Sequence, residues 1–367
     1  MKRLLFRTSI IALMLLSGCT ERGQDAYVED LAMVSSIAFD YIDEKTVKMT
    51  VSIPHPTSES QDVTQHYSVD TELIQEGFVQ ISSKADKMVI LNQLRTLLFS
   101  EEFAREGQVT EIIKHFYRNP KVGNNVQLGI VKGSAEEILK SEFPDKPSTD
   151  TYLYDLLSPK LHTAFSPFTT MHDFLYTETN PIFYSMVPYL ELEKDSVKIE
   201  SIALFDSGKM IATIAEKESS YIQALKGVVK LAPLEISFGE HNAEEQVHIE
   251  LIKSKAKITS NKNMVSPKVK LQLNLQGALF EYKGKRDLEK TGEYKALEKE
   301  VSKQVKKEIE QLLAQLQKLE VDPIGISEEF RMYYKGKWTE ELTKKIIQNV
   351  EYDVQVEFKL LNTGILK

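Results

Sequence analysis

Cys19 is the only cysteine in this chain of 367 residues, and its position decides what its thiol can do. A lone thiol forms no intrachain disulfide. It stands behind basic Lys2, Arg3 and Arg7, an apolar run from Ile10 to Leu16 and the small pair Ser17 and Gly18, the three-part build of an export signal. Leu16-Ser17-Gly18-Cys19 has the form of a bacterial lipobox, in which small residues admit the signal peptidase while the thiol takes a lipid. The chemistry expected of Cys19 is therefore thioether formation to a diacylglycerol, with residues 1–18 removed as a lipoprotein signal peptide. The apolar run is shorter than the roughly twenty residues a membrane crossing requires, and no second run of that length follows before Lys367. Each buried CH₂ of a lipid chain contributes about 0.8 kcal/mol, and two chains suffice for stable attachment. The mature chain is expected to be anchored to a bilayer, not to span it.

The other reactive side chains offer less. The histidines are His55, His66, His115, His162, His172, His241 and His248; no pair has a zinc spacing such as H-E-x-x-H, and no cysteine is left to complete a site. His162 and His172, with Ser166 between them and Asp173 adjacent, come closest to a site-like neighbourhood and are read as surface or structural histidines. No Gly-x-Ser-x-Gly elbow is present, and the surroundings of Gly123 and Gly277 lack the Lys-Ser/Thr of a phosphate cradle. Glu101-Glu102, Glu136-Glu137 and Glu328-Glu329 are consecutive, so on a helix they diverge by about 100° and cannot face one another as an acid/base pair would; they are read as solvated helix starts. Trp338, the single tryptophan, is read as a core or domain-interface anchor in preference to a ligand stacker. No catalytic residue, cofactor site or metal site is expected, and the chain is read as not an enzyme.

Charge and size narrow the class further. The whole chain carries a formal −8; residues 1–18 hold three basic and no acidic groups, so their removal leaves 43 Lys and Arg against 54 Asp and Glu, a formal −11. Such a surface argues against nucleic acid, whose phosphates demand clustered cations, and lends no attraction to anionic headgroups. The remaining length exceeds the size at which a single core stops growing, so two or three domains are expected.

The elements that position these residues follow from periodicity. Thr20 to Tyr27 reads as a polar leader. Val47, Met49, Val51 and Ile53 alternate with polar residues as in a half-buried strand ended by Pro54 and Pro56, and residues 55–75 read as a loop. After an apolar stretch from Met88 to Leu98, Ser100 with Glu101 and Glu102 starts a helix that Gly107 stops. Further helices are expected over Thr110 to Tyr117 and from Ser134 to before Pro144. Tyr152 to Tyr189 is rich in aromatics, Pro and Ser without an assignable order and carries the end of the first domain. Val197 to Phe205 and Met210 to Ile214 form a hairpin around Asp206-Ser207-Gly208, and Ser219 to Leu225 a helix closed by Gly227. Val247, Ile249 and Leu251, and then Val269, Leu271, Leu273 and Leu275, alternate as two antiparallel strands. Tyr294, Leu297, Val301, Val305, Ile309, Leu312, Leu316 and Leu319 step by threes and fours along one helix of about 40 Å that ends at Asp322-Pro323. It is expected to lie across a sheet face in preference to a partner's groove, and Val354 to Leu360 forms the last strand. The pattern gives an α+β fold of two or three domains, residues 19–192 and 193–367, the C-terminal one an antiparallel sheet covered by one long amphipathic helix.

An ordered series of short stretches resembles the Ger(x)C family, the lipoprotein C subunits of nutrient germinant receptors in endospore-forming bacteria. It comprises Gly18-Cys19, Val28-Glu29-Asp30-Leu31-Ala32, Ile37-Ala38-Phe39-Asp40, the run from Leu98 to Gly107, Arg118-Asn119-Pro120 and the run from Lys132 to Leu139. Ile202-Ala203-Leu204-Phe205, Lys209-Met210, Leu225-Lys226-Gly227, the long helix, Asp322-Pro323-Ile324-Gly325 and Thr363-Gly364 continue it. Thr20 departs from the Trp that many members carry after the cysteine, and Ile211-Ala212 from a common glycine. The resemblance implies a protein on the outer face of the spore's inner membrane, without catalytic residues, working beside membrane-embedded A and B subunits in sensing small nutrients. A stand-alone solute-binding lipoprotein would share anchor and size but is usually built of parallel α/β lobes.

Overall fold

A computed structural model describes residues 30–55, 63–159, 168–239 and 245–362. Cys19, the Thr20–Tyr27 leader, His162, Ser166, His241 and Thr363-Gly364 lie outside the described residues.

The first half runs β1 (Leu31–Met33), β2 (Ser36–Tyr41), β3 (Val47–His55), β4 (Val63–Thr71), α1 (Ile74–Ser82), β5 (Met88–Ile90), β6 (Thr96–Ser100), α2 (Glu101–Glu106) and α3 (Val109–Tyr117). Then follow β7 (Gln127–Val131), α4 (Ala135–Lys140), α5 (Thr149–Leu157), α6 (Met171–Glu178), β8 (Met186–Leu192), β9 (Val197–Asp206) and β10 (Lys209–Ile214). β1 and β5 pair as a small parallel sheet, while the other eight strands make one sheet in the order β10-β9-β8-β7-β6-β2-β3-β4. Its centre, β2, β6, β7 and β8, is parallel, and its flanks are antiparallel. One face packs Phe39 and Phe99, ring centroids 5.5 Å apart, against Phe103 of α2 and Phe116 of α3. On the other, Ala38, Leu98, Val131 and Leu190 meet Ile138 and Leu139 of α4 and Leu153 and Leu157 of α5. Three layers result.

Local signals fixed the helix ends. Ser100 Oγ accepts the Phe103 N–H, Gly107 closes α2 at φ 100°, and Ser134 Oγ accepts the Glu137 N–H to start α4. Two expectations need correction. The expected loop over 55–75 gives way, in its described part, to a strand: β4 pairs along β3 from Val47↔Thr71 to His55↔Val63, so that β3 itself runs through Pro54. As the outer strand β4 needs few apolar residues, and Val69 is one of its few buried side chains, so the period-2 signal is faint. The strand at Val47 is also not half-buried. Thr50 and Ser52 are 0% and 1% exposed, because α4 and α5 cover the face that alternation alone assigns to water. The described residues between Tyr152 and Tyr189, to which the sequence pattern assigns no order, hold most of α5, all of α6 and the start of β8. The turn after Leu192 joins β8 to β9 inside the same sheet.

The second half contains α7 (Glu216–Leu225), β11 (Leu234–Phe238), β12 (Glu245–Ser260), β13 (Lys268–Lys283), α8 (Thr291–Leu319), α9 (Glu328–Arg331), α10 (Glu340–Asn349) and β14 (Glu351–Asn362). β11, β12 and β13 are antiparallel, and β14 returns through the α8 crossover to lie parallel to β13. Along its 29 residues α8 buries Leu297, Val301, Val305, Ile309, Leu312, Leu313 and Leu316 against this sheet. It also protects the outer edge of β14: the Phe358 N–H donates to Ser302 Oγ (2.9 Å) and the Leu360 N–H to Glu298 Oε1 (2.9 Å). Leu251 departs from the expected alternation. It has φ 53° and is 75% exposed at an irregularity between Glu250 and Lys253, and Ile252 takes the inward place. The class is α+β, as the sequence implies.

Candidate functional site

The most concentrated buried polarity lies beneath α5, where a row of side chains crosses five neighbouring strands. Cα partners run His66↔Ser52, Ser52↔Ser36, Ser36↔Thr96 and Thr96↔Gln127. Laterally paired residues project to the same face of a sheet, so all five point toward α4 and α5. The first turn of α5 brings Asp150 down onto the row, and Ser52 Oγ donates to Asp150 Oδ2 at 2.6 Å. Ser36 Oγ, Thr96 Oγ1, Gln127 Oε1, His66 Nε2 and Asp150 Oδ1 are buried without a hydrogen-bond partner among the described residues. Burial holds the His66 imidazole below its usual pKa, against the opposing charge of Asp150 and a hydrogen bond with the Leu139 backbone. The residue types are those of a nucleophilic triad, but the wiring is not. A triad needs the hydroxyl on the imidazole, whereas Ser52 donates to the carboxylate.

Beside the row a charged network clamps α4 to the sheet. The Ala135 and Glu136 N–H groups donate to the two carboxylate oxygens of Asp40 at 2.7 and 2.8 Å, at the positive end of the helix. Glu136 then accepts from Ser68 Oγ (2.6 Å), Lys140 Nζ (2.5 Å) and Lys48 Nζ (3.2 Å), joining α4 to β3 and β4. Burial raises the Glu136 pKa, but the bonds from Lys140, Ser68 and Lys48 outweigh it and bring the carboxyl down to about 2.

A third cluster joins the two halves of the chain. Trp338 is 7% exposed; its Nε1 donates to Thr343 Oγ1 (2.8 Å), which donates to the Pro181 carbonyl (2.7 Å). Lys344 Nζ reaches Asp206 Oδ2 (2.8 Å) and Glu340 Oε1 (3.0 Å), tying α10 to the β9–β10 turn. Trp338 is thus a core residue that braces Thr343, the side chain that makes the contact to Pro181.

The remaining candidates scatter. His172 Nδ1 meets the Tyr117 hydroxyl at 3.2 Å on the surface. Glu101-Glu102, Glu136-Glu137 and Glu328-Glu329 occupy the first turns of α2, α4 and α9. Asp322, which closes the long-helix region, accepts the N–H groups of Gly325, Ile326 and Ser327 at 2.8, 2.8 and 2.7 Å. Gly325 has φ 85°, and a Cβ there would stand 2.4 Å from Phe183 Cε1. Sequence reasoning missed the polar row altogether. Its one local signal was Ser36, Ser52 and Thr96 standing in otherwise apolar strands, and only the strand register brings them together.

These features define an α+β protein of three sheets, two of them large, whose buried polar groups fasten one layer to the next. The chain belongs to the GerAC-like spore germination family. Residues 25–192 match the model of the spore germination protein N-terminal domain, and residues 200–364 that of the spore germination B3/GerAC-like C-terminal domain. Similar proteins include spore germination protein GerQC of Bacillus cereus, 26% identical over 97% of this chain and 98% of that one. Spore germination protein B3 of Bacillus subtilis (strain 168) is 21% identical over 98% and 97%. The crystal structure of the GerBC protein matches in fold, with a TM-score of 0.57 and 16% identity over 89% of this chain and 97% of that one.

Proposed function

We propose that this chain is the lipid-anchored C subunit of a spore nutrient germinant receptor. In this reading a diacylglycerol on Cys19 holds the folded body at the outer face of the spore's inner membrane. The body, with its two germination-protein domains dividing in sequence at 192/193 and sharing the eight-stranded sheet across that division, contributes contacts to membrane-embedded A and B subunits and performs no catalysis. The observation that carries the reading is the match of both family models, in order, over nearly the whole chain. No helix among the described residues is long and apolar enough to cross a membrane, which is compatible with attachment through Cys19. The buried bonds of Asp40, Glu136 and Asp150 support a body whose polar groups serve rigidity, leaving the surfaces for docking.

The test is a deletion strain. Its spores are expected to lose or slow their response to particular members of a panel of nutrients while germinating normally with a trigger that acts directly on the membrane. A deletion that changes neither response, or slows both equally, would contradict the reading.

A further inference from the structure

Strand β12 is covered on its outer side only in part. β11 pairs with Glu245 to Ile249. The next stretch is met by an irregular segment: the Leu231 N–H donates to the Ile252 carbonyl (3.0 Å) and the Ser254 N–H to the Val229 carbonyl (2.8 Å). Beyond Ser254 no strand pairs on that side among the described residues. The N–H and C=O of one strand residue point to the same side and alternate along the chain. Ile252 and Ser254 thereby fix the sense, and Ala256, Ile258 and Ser260 direct their main-chain groups outward. Helix α9 reaches only the far end, where Ser260 Oγ donates to the Glu329 carbonyl (3.2 Å).

The side chains of this open edge are sorted by face. Lys253, Lys255 and Lys257 lie exposed on the outer face, in a chain with a net charge of −8. Their partners on β13 are Gln276, Asn274 and Gln272, neutral amides that bring no counter-charge. Ala256 and Ile258 are half-buried on the core side, and Val229, 60% exposed, stands opposite Ser254 at the near end of the open edge.

We infer that the edge of β12 from Lys255 to Ser260 is a docking site for an extended segment of a partner protein in which acidic residues alternate with apolar ones, added as a further strand. Its carboxylates stand beside Lys255 and Lys257 on the outer face. Its apolar residues extend the core layer over Ala256 and Ile258, and its end adjoins Val229. Main-chain hydrogen bonds supply affinity and the two-residue alternation supplies register. The inference is independent of the germination reading, since it rests on the edge alone. Lysines on an open edge also serve to prevent self-pairing, and the experiment separates the two roles.

The purified full chain is titrated with a blocked nine-residue peptide of alternating Glu and Val, and with a peptide of the same composition whose valines are contiguous, by calorimetry and by amide chemical shifts. The alternating peptide is expected to bind at least about tenfold more tightly. Ala256→Pro with Ile258→Pro removes two outward donors and no bond to β13, so the fold survives and binding is lost. Lys255→Glu with Lys257→Glu shifts the preference to a Lys/Val peptide, and this reversal decides the matter alone should the proline variant not fold. Equal affinity for both peptides, binding indifferent to the prolines in a folded variant, or no binding up to millimolar peptide overturns the proposal. So does a Lys255→Thr, Lys257→Thr chain that self-associates while the alternating peptide binds no variant, because the lysines then only guard the edge.

Discussion

Ser52 and Asp150 stand 98 positions apart in the chain and meet through a 2.6 Å hydrogen bond, buried between the eight-stranded sheet and α5. This bond fixes the first turn of α5 over a row that otherwise carries hydroxyls, an imidazole and the Gln127 carboxamide. Ser52→Ala leaves the carboxylate buried without its donor, and Asp150→Ala leaves the hydroxyl without its acceptor. Each is expected to cost roughly 1–3 kcal/mol in denaturant unfolding. The double variant is expected to cost less than the two added together, with a coupling of about 1 kcal/mol. Strict additivity would show that the pair is not a working contact.

Glu136 should set part of the acid sensitivity. Its folded pKa, about 2, lies below the ordinary 4.5. The stability it contributes is therefore fully present above pH 4.5 and is lost as pH falls from there through 2. Glu136→Gln is expected to lower stability at pH 7 by on the order of 1–3 kcal/mol and to flatten the profile between pH 4.5 and 2. Parallel stability-versus-pH curves for the two proteins would contradict the clamp.

The Asp322 carboxylate holds three consecutive N–H groups at 1% exposure. Burial pushes its pKa up, opposed by those same bonds. Asp322→Ala strands the Ile326 and Ser327 donors in the interior, while the Gly325 N–H keeps the Asp322 main-chain carbonyl, and a loss of roughly 2–4 kcal/mol is expected from thermal or chemical unfolding. Gly325→Ala should be comparably harmful, since it meets both an unfavourable φ and Phe183. A near-neutral Asp322→Ala would remove the turn from the list of structural determinants.

The parts of this fold legible in the sequence were those specified by near neighbours. The stripe of α8 repeats every three or four residues, Ser100 and Gly107 mark both ends of α2, and Asp206-Ser207-Gly208 turns the β9–β10 hairpin. What stayed hidden depended on distant chain. Thr50 and Ser52 are buried by helices some hundred residues away, β4 is a polar outer strand with a weak period, and the Leu251 irregularity shifts an otherwise clean alternation. β14 chooses a parallel partner through a crossover that no local pattern encodes. The Ser36–Ser52–Thr96 row exists only once register is set, so the candidate site was not legible at all, whereas the expectation for Cys19 rests on its immediate neighbours alone.

The most direct measurement is mass spectrometry of the protein isolated from spore membranes. The expected result is a mature amino terminus at Cys19 carrying a diacylglycerol thioether, together with release of a Cys19→Ala variant from the membrane fraction in high salt. An unmodified Cys19 thiol, or a chain that retains residues 1–18, would contradict the proposed anchor and with it the proposed placement beside membrane-embedded subunits.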